Sequence, residues 1–96
     1  MAPLTQKRTN TMSMITLIDL ADETKRQMAA ITGLTPDTIS RLDRVEGGWA
    51  LSIDMLEHRS IPRTQDLLAS FEVKLDDEGK VASWHRIGRF VRGQQG

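Results

Sequence analysis

Residues 29–46, AAITGLTPDTISRLDRVE, admit two readings with opposite consequences for the fold. In the first they carry the turn and second helix of a helix-turn-helix. Ala29, Gly33 and Ile39 keep that motif's spacing of small residue, turn glycine and aliphatic residue, and Thr38, Ser40 and Arg41 would face a groove. In the second, Gly33 ends a helix, Pro36-Asp37 turn the chain, and 38–46 form a strand that enters Trp49 through Glu46-Gly47-Gly48. Ile39, Leu42 and Val45 fit a helical spacing better than an alternating one. Against the DNA reading, Asp37 and Asp43 would be carried toward phosphates, and the chain after Gly47 alternates like strand rather than repeating like a bundle.

Upstream of this stretch, Met14, Ile18, Ala21, Met28 and Ile31, with Leu17 beside them, recur at helical spacing. Acids lie toward the start of this segment and Lys25 and Arg26 toward its end, the order a helix dipole favours. This stripe is the expected core-facing side. Residues 1–11 are polar and aperiodic and read as a disordered tail; 94–96 read as a flexible end.

Downstream, Trp49, Leu51, Ile53 and Met55 alternate with Ala50, Ser52, Asp54 and Leu56, and Leu67, Ala69, Phe71, Val73 and Leu75 do the same after a loop containing Pro62. Asp76-Asp77-Glu78-Gly79-Lys80 is a hairpin signal with Gly79 as the left-handed residue. A three-residue loop pairs Leu75 with Val81, Val73 with Ser83 and Phe71 with His85. It sets Glu72 beside Trp84, Ser70 beside Arg86 and Asp66 near Phe90 on the opposite face. A slip of one residue reverses these faces, and Gly88 marks a candidate bulge. The expected fold is α+β: a single domain over 12–93, with the N-terminal helix packed on one face of a three- to four-stranded antiparallel meander. The helix covers Leu51, Ile53, Phe71 and Val73. The outer face presents Leu68, Trp84 and Phe90 among charges.

Composition narrows the function. In 96 residues there are thirteen basic and thirteen acidic side chains and no cysteine, so disulfides and thiolate metal sites are excluded. The balance gives no basic excess for phosphate binding, although every charge after Glu78 is positive. Met12 to Ala21 contains Asp19 and is too short for a membrane span. The DDEG turn lacks the spaced acids of a calcium loop, the two histidines have no second ligand at metal spacing, and no phosphate loop or nucleophile grouping is present. These observations point to a non-enzymatic protein without cofactor or metal. His85 is expected half-buried near Phe71. The run WHRIGRFVRG interleaves arginine with aromatic residues, which suits phosphate and base contact, cross-strand ion pairs or a protein interface.

The segment Gly48–Arg92 resembles the gas vesicle accessory protein GvpO family. The matching residues are Gly48-Trp49, Glu57, Arg59-Ser60-Ile61-Pro62, and Asp66-Leu67-Leu68-Ala69-Ser70-Phe71-Glu72-Val73. Leu75-Asp76 with Gly79, Arg86, Arg89-Phe90 and Arg92 follow in the same order. Phe71 and Phe90 stand where that family more often has tyrosine, and Asp54 where glutamate is common. The resemblance implies a cytoplasmic, non-catalytic factor for making gas vesicles, in some cases vesicle-associated, acting with other accessory proteins or on the apolar wall protein as an adaptor or chaperone. The expected partner surface comprises Glu57, Arg59, Pro62, Asp66, Glu72, Trp84, Arg86, Arg89, Phe90 and Arg92. The competing function is a DNA-binding regulator using residues 24–43.

Overall fold

The computed structural model describes the backbone of residues 2–94 and the side chains of residues 17–93. The expected tails at 1–11 and 94–96 lie outside the described side chains. One helix, α1 (Ala2–Thr32), precedes four strands, β1 (Thr35–Val45), β2 (Gly48–His58), β3 (Leu67–Asp76) and β4 (Val81–Val91). They form one antiparallel sheet in the order β1-β2-β3-β4. The stretch 35–45 is therefore strand. Ile39 pairs with Ile53 and Leu42 with Leu51, so the recognition helix required by the DNA-binding alternative does not exist. The helical spacing of Ile39, Leu42 and Val45 misleads because β1 carries two bulges, at Asp37 and Ser40, that break its alternation.

The Gly33 N–H donates to the Ala29 carbonyl (2.8 Å) and closes the helix. Pro36 follows at the start of β1, an edge strand, where a missing N–H is tolerated. At the other end of the sheet, Asp76 organises the β3–β4 hairpin. Its carbonyl accepts from Gly79 N–H (2.9 Å), and its Oδ1 accepts from the N–H groups of Glu78 and Lys80 (2.9 and 3.0 Å). Gly79 adopts φ 84°, as the expected loop requires.

The core lies between helix and sheet. Leu51, Ile53, Met55, Ala69, Phe71, Val73 and Leu75 are buried on the helix side, with Leu20 and Met28 supplied by the helix. The helix buries only part of the expected stripe: Met28 lies in the core as expected, but the buried face is rotated toward Leu20 and Thr24. Ile18 and Ile31 are exposed, while Leu20, Thr24 and Met28 turn inward. A count of apolar residues passes over Thr24 because it is polar. Its hydroxyl donates to the Leu20 carbonyl (2.7 Å), so the side chain enters the core with its polar atom satisfied. Gln27 fixes the helix along the sheet. Its amide donates to Gly79 O (3.2 Å) and accepts from Val81 N–H (2.9 Å).

The β3–β4 register begins as expected, with Leu75 opposite Val81, and then departs. Ala82 is an extra residue, so Val73 faces Trp84 and Phe71 faces Arg86. A second extra residue, Ile87, sits next to the glycine expected to mark a bulge, and sets Ser70 opposite Gly88, Ala69 opposite Arg89 and Leu68 opposite Phe90. The first bulge exchanges Ser83 and His85 for Trp84 and Arg86 on the helix side. His85 is thus exposed, opposite Glu72, and not beside Phe71. The gain is the indole: half-burying a tryptophan against an aromatic ring is worth about 1–2 kcal/mol, which polar Ser83 and His85 do not offer.

Candidate partner surface

The ten expected surface residues do not share one face. The two β4 bulges divide them into three groups.

The first group lies on the helix side of the sheet, beyond the end of α1. The Trp84 and Phe71 rings are 5.8 Å apart at 59°, and the Arg86 guanidinium stands 5.7 Å from the Phe71 ring centroid. Ile31, Thr32 and Leu34, where the helix hands over to β1, complete an open cleft of about 290 Å³ with these three residues. Trp84 is 43 % exposed, and Ile31 44 %. Glu57, the extra residue of a bulge in β2, faces the same side. Its Oε2 accepts from Arg89 Nη2 (3.1 Å) and lies 3.4 Å from Arg86 Nη2. Its Oε1 is in ion contact with Arg89 Nε (3.0 Å) but without a hydrogen bond. Two guanidinium groups thus share one carboxylate, and one positive charge is left over.

The second group occupies the opposite face. Glu72 accepts from Ser52 Oγ (2.8 Å), and Asp54 accepts from Ser70 Oγ (2.7 Å). Phe90 packs in the row of Leu56 and Leu68. Each carboxylate here is held by a hydroxyl from the next strand, which makes this a self-satisfied polar face. Glu72 and Phe90 are therefore separated by the sheet itself from Trp84 and Arg86.

The third group closes the end of the sheet. Arg92, just past β4, donates to both Asp66 and Asp37. Its Nη2 is 2.9 Å from Asp37 Oδ1 and 3.2 Å from Asp66 Oδ2. Asp66 is almost fully buried. Its Oδ1 accepts from the Ser60 backbone N–H (2.7 Å), and its own carbonyl accepts from Arg92 N–H (2.9 Å). The 59–66 loop is thereby pinned, and Arg59, Ile61 and Pro62 stand on its outer surface. Ile61 is 99 % exposed. From its local sequence Asp37 reads as a turn residue after Pro36. Its role as the second carboxylate of the clamp has no local signal, because it depends on a partner 55 residues away.

The clamp has an acid dependence. Asp37 is held below the ordinary carboxylate range chiefly by its hydrogen bond from Arg92, and Asp66 chiefly by the Ser60 N–H, with Arg92 adding to it. Both shifts are downward. Their stabilisation is present above the unfolded carboxylate pKa, about 3.9, and disappears as pH falls through the lower folded values. In urea titrations the stability gap between the natural chain and Asp37→Asn should be constant near neutrality and close below about pH 4. A gap that stays open at pH 2 would show that the carboxylate charge is not what the clamp uses.

Among the described residues no group of three or more histidine, aspartate or glutamate side chains is placed to hold a metal ion, and no helix is long and apolar enough to cross a membrane.

A family model described as gas vesicle synthesis protein GvpO matches residues 4–96. A Streptomyces protein named Gas vesicle protein O is 40% identical over 68 residues, covering 71% of this chain and 53% of that protein. Gas vesicle protein O of Haloferax mediterranei is 30% identical over 56 residues, 57% of this chain and 40% of that one. Gas vesicle protein O1 of Halobacterium salinarum is 33% identical over 46 residues, 48% of this chain and 39% of that one. The chain spans about half the length, or less, of these curated relatives. No solved structure matches.

Proposed function

The chain belongs to the GvpO family of gas vesicle synthesis proteins, and we propose that it serves gas vesicle formation as a non-catalytic binding protein, an adaptor or chaperone for other vesicle proteins. The observation that carries this reading is the cleft of Ile31, Leu34, Phe71, Trp84 and Arg86, left open beyond the end of the helix. Exposed tryptophan and arginine over an apolar floor are the residue types that dominate protein interfaces. A very apolar wall protein needs such a surface to shield it before assembly. The self-satisfied face bearing Glu72 offers nothing comparable. Cofactors play no part in this reading, and it leaves the helix-turn-helix alternative without support, because Arg41 and its neighbours lie in a strand.

Pull-down against vesicle accessory proteins and the wall protein tests it. Trp84→Ala and Arg86→Glu should each weaken capture about tenfold or more, equivalent to about 1.4 kcal/mol. His85→Ala, on the other face, should not. Full capture by folded Trp84 and Arg86 variants would remove the cleft from consideration.

A further inference from the structure

We propose that the free edge of β4 accepts an added strand from a partner protein, and that the added segment is acidic and alternates with apolar residues. The proposal rests on the reading of this chain as a protein-binding factor and names how the partner is held.

β1 and β4 are the two edges of the sheet. β1 is blunted by Pro36 and by charges of both signs, Asp37, Arg41, Asp43 and Arg44. β4 contains no proline, and every residue from Ala82 to Arg89 is exposed. Its backbone polarity can be assigned. The Arg92 N–H to Asp66 carbonyl bond flanks the Leu67–Val91 pair, so Val91 turns its own N–H and C=O away from β3. The register is unbroken from Leu67 to Ser70, so Arg89 does the same. At the start of the strand the Val81 N–H is already taken, by Gln27 of the helix. The fold thus covers the beginning of this edge and leaves the remainder open.

Charge selects the occupant. Residues 79–96 contain Lys80, Arg86, Arg89 and Arg92 and no acid, and Arg86 with Arg89 share the single carboxylate of Glu57. A second copy pairing edge to edge would bring these arginines against their own counterparts. An acidic strand would place carboxylates beside Arg86 and Arg89 on the helix side and turn its alternate apolar side chains to the opposite face, beside Phe90. Backbone bonds supply affinity in such additions and alternate side chains supply choice.

The test titrates the full isotope-labelled chain with a ten-residue peptide alternating glutamate and valine, with a lysine–valine peptide as control, and follows amide hydrogen exchange. Binding of the acidic peptide should slow exchange at Arg89 and Val91 about tenfold or more, and leave Val81 unchanged. Arg89→Pro, which removes an outward donor, should abolish this binding, whereas Arg89→Gln should only weaken it. If Arg89→Pro fails to fold, the amide pattern decides alone. Unchanged exchange at Arg89 and Val91 overturns strand addition. If Trp84 ring signals still shift, the cleft binds without it and the proposed function survives. Equal slowing by the lysine peptide overturns the charge assignment. Slowing that grows with chain concentration in the absence of peptide makes a second copy the occupant and overturns the proposal.

Discussion

Gly48→Ala should be among the most damaging single substitutions in this chain, lowering stability by about 3 kcal/mol or more, at or beyond the upper end of overpacking costs. Gly48 is buried at the start of β2, opposite Asp76 of β3. A methyl group there would run into the Leu75 carbonyl oxygen, with the Leu75 carbonyl carbon at 2.8 Å and the Asp76 carbonyl carbon at 3.0 Å. None of these atoms belongs to a flexible side chain. The two central strands must part to make room, and a domain this size has only a few kcal/mol to lose. The neighbouring Gly47 is the control. Its φ is 83° with nothing within 4 Å of an added methyl. Gly47→Ala should therefore cost only the left-handed strain, about 1–2 kcal/mol. Urea midpoints of the two variants check the contrast. A Gly48→Ala protein as stable as Gly47→Ala would mean that β2 and β3 do not pair in this register.

Phe71→Ala should cost about 3–5 kcal/mol, the range for emptying a large aromatic site in a core. Phe71 is 2 % exposed, the largest of the fully buried side chains, and lies on a central strand. Its ring also packs against both Trp84 and Arg86, so the variant should lose the cleft with the core. Phe71→Leu distinguishes the two roles. It keeps apolar volume and should cost about 1.5 kcal/mol or less, yet it removes the ring that orients both neighbours. With Trp49→Phe as background, Trp84 fluorescence should change in the leucine variant while the urea midpoint moves little. Partner capture should fall with it. An unaltered emission spectrum would show that Trp84 is placed by the bulge at Ala82 and not by Phe71.

The register error at β4 shows where sequence reading stopped. The hairpin turn was legible, because Asp76 and Gly79 satisfy it within five residues. From there a regular ladder assigns Trp84 to the outer face. The bulge at Ala82 reverses that assignment, and Ala82 carries no turn or glycine signal. It is stabilised by what Trp84 meets on the helix side, which is Phe71 from another strand. The same reason explains the helix face. Thr24 looks polar in isolation and is satisfied by Leu20 only once the helix forms. The ten residues expected together on one face are therefore distributed over three places.

Elements settled within a few residues were open to the sequence alone: the helix ending at Gly33, the alternating strands β2 and β3, the three-residue turn at Gly79, and the family resemblance from Gly48 to Arg92. Periodicity and backbone freedom are local properties, and they leave a local record. The tertiary structure alone decided that 35–45 is a bulged strand, which side of the helix is buried, which side of the sheet holds Trp84, and that Arg92 joins Asp66 to Asp37. Each of these depends on free energy gained between residues far apart in the chain, where a single bulge inverts which side chains meet and no local pattern registers it.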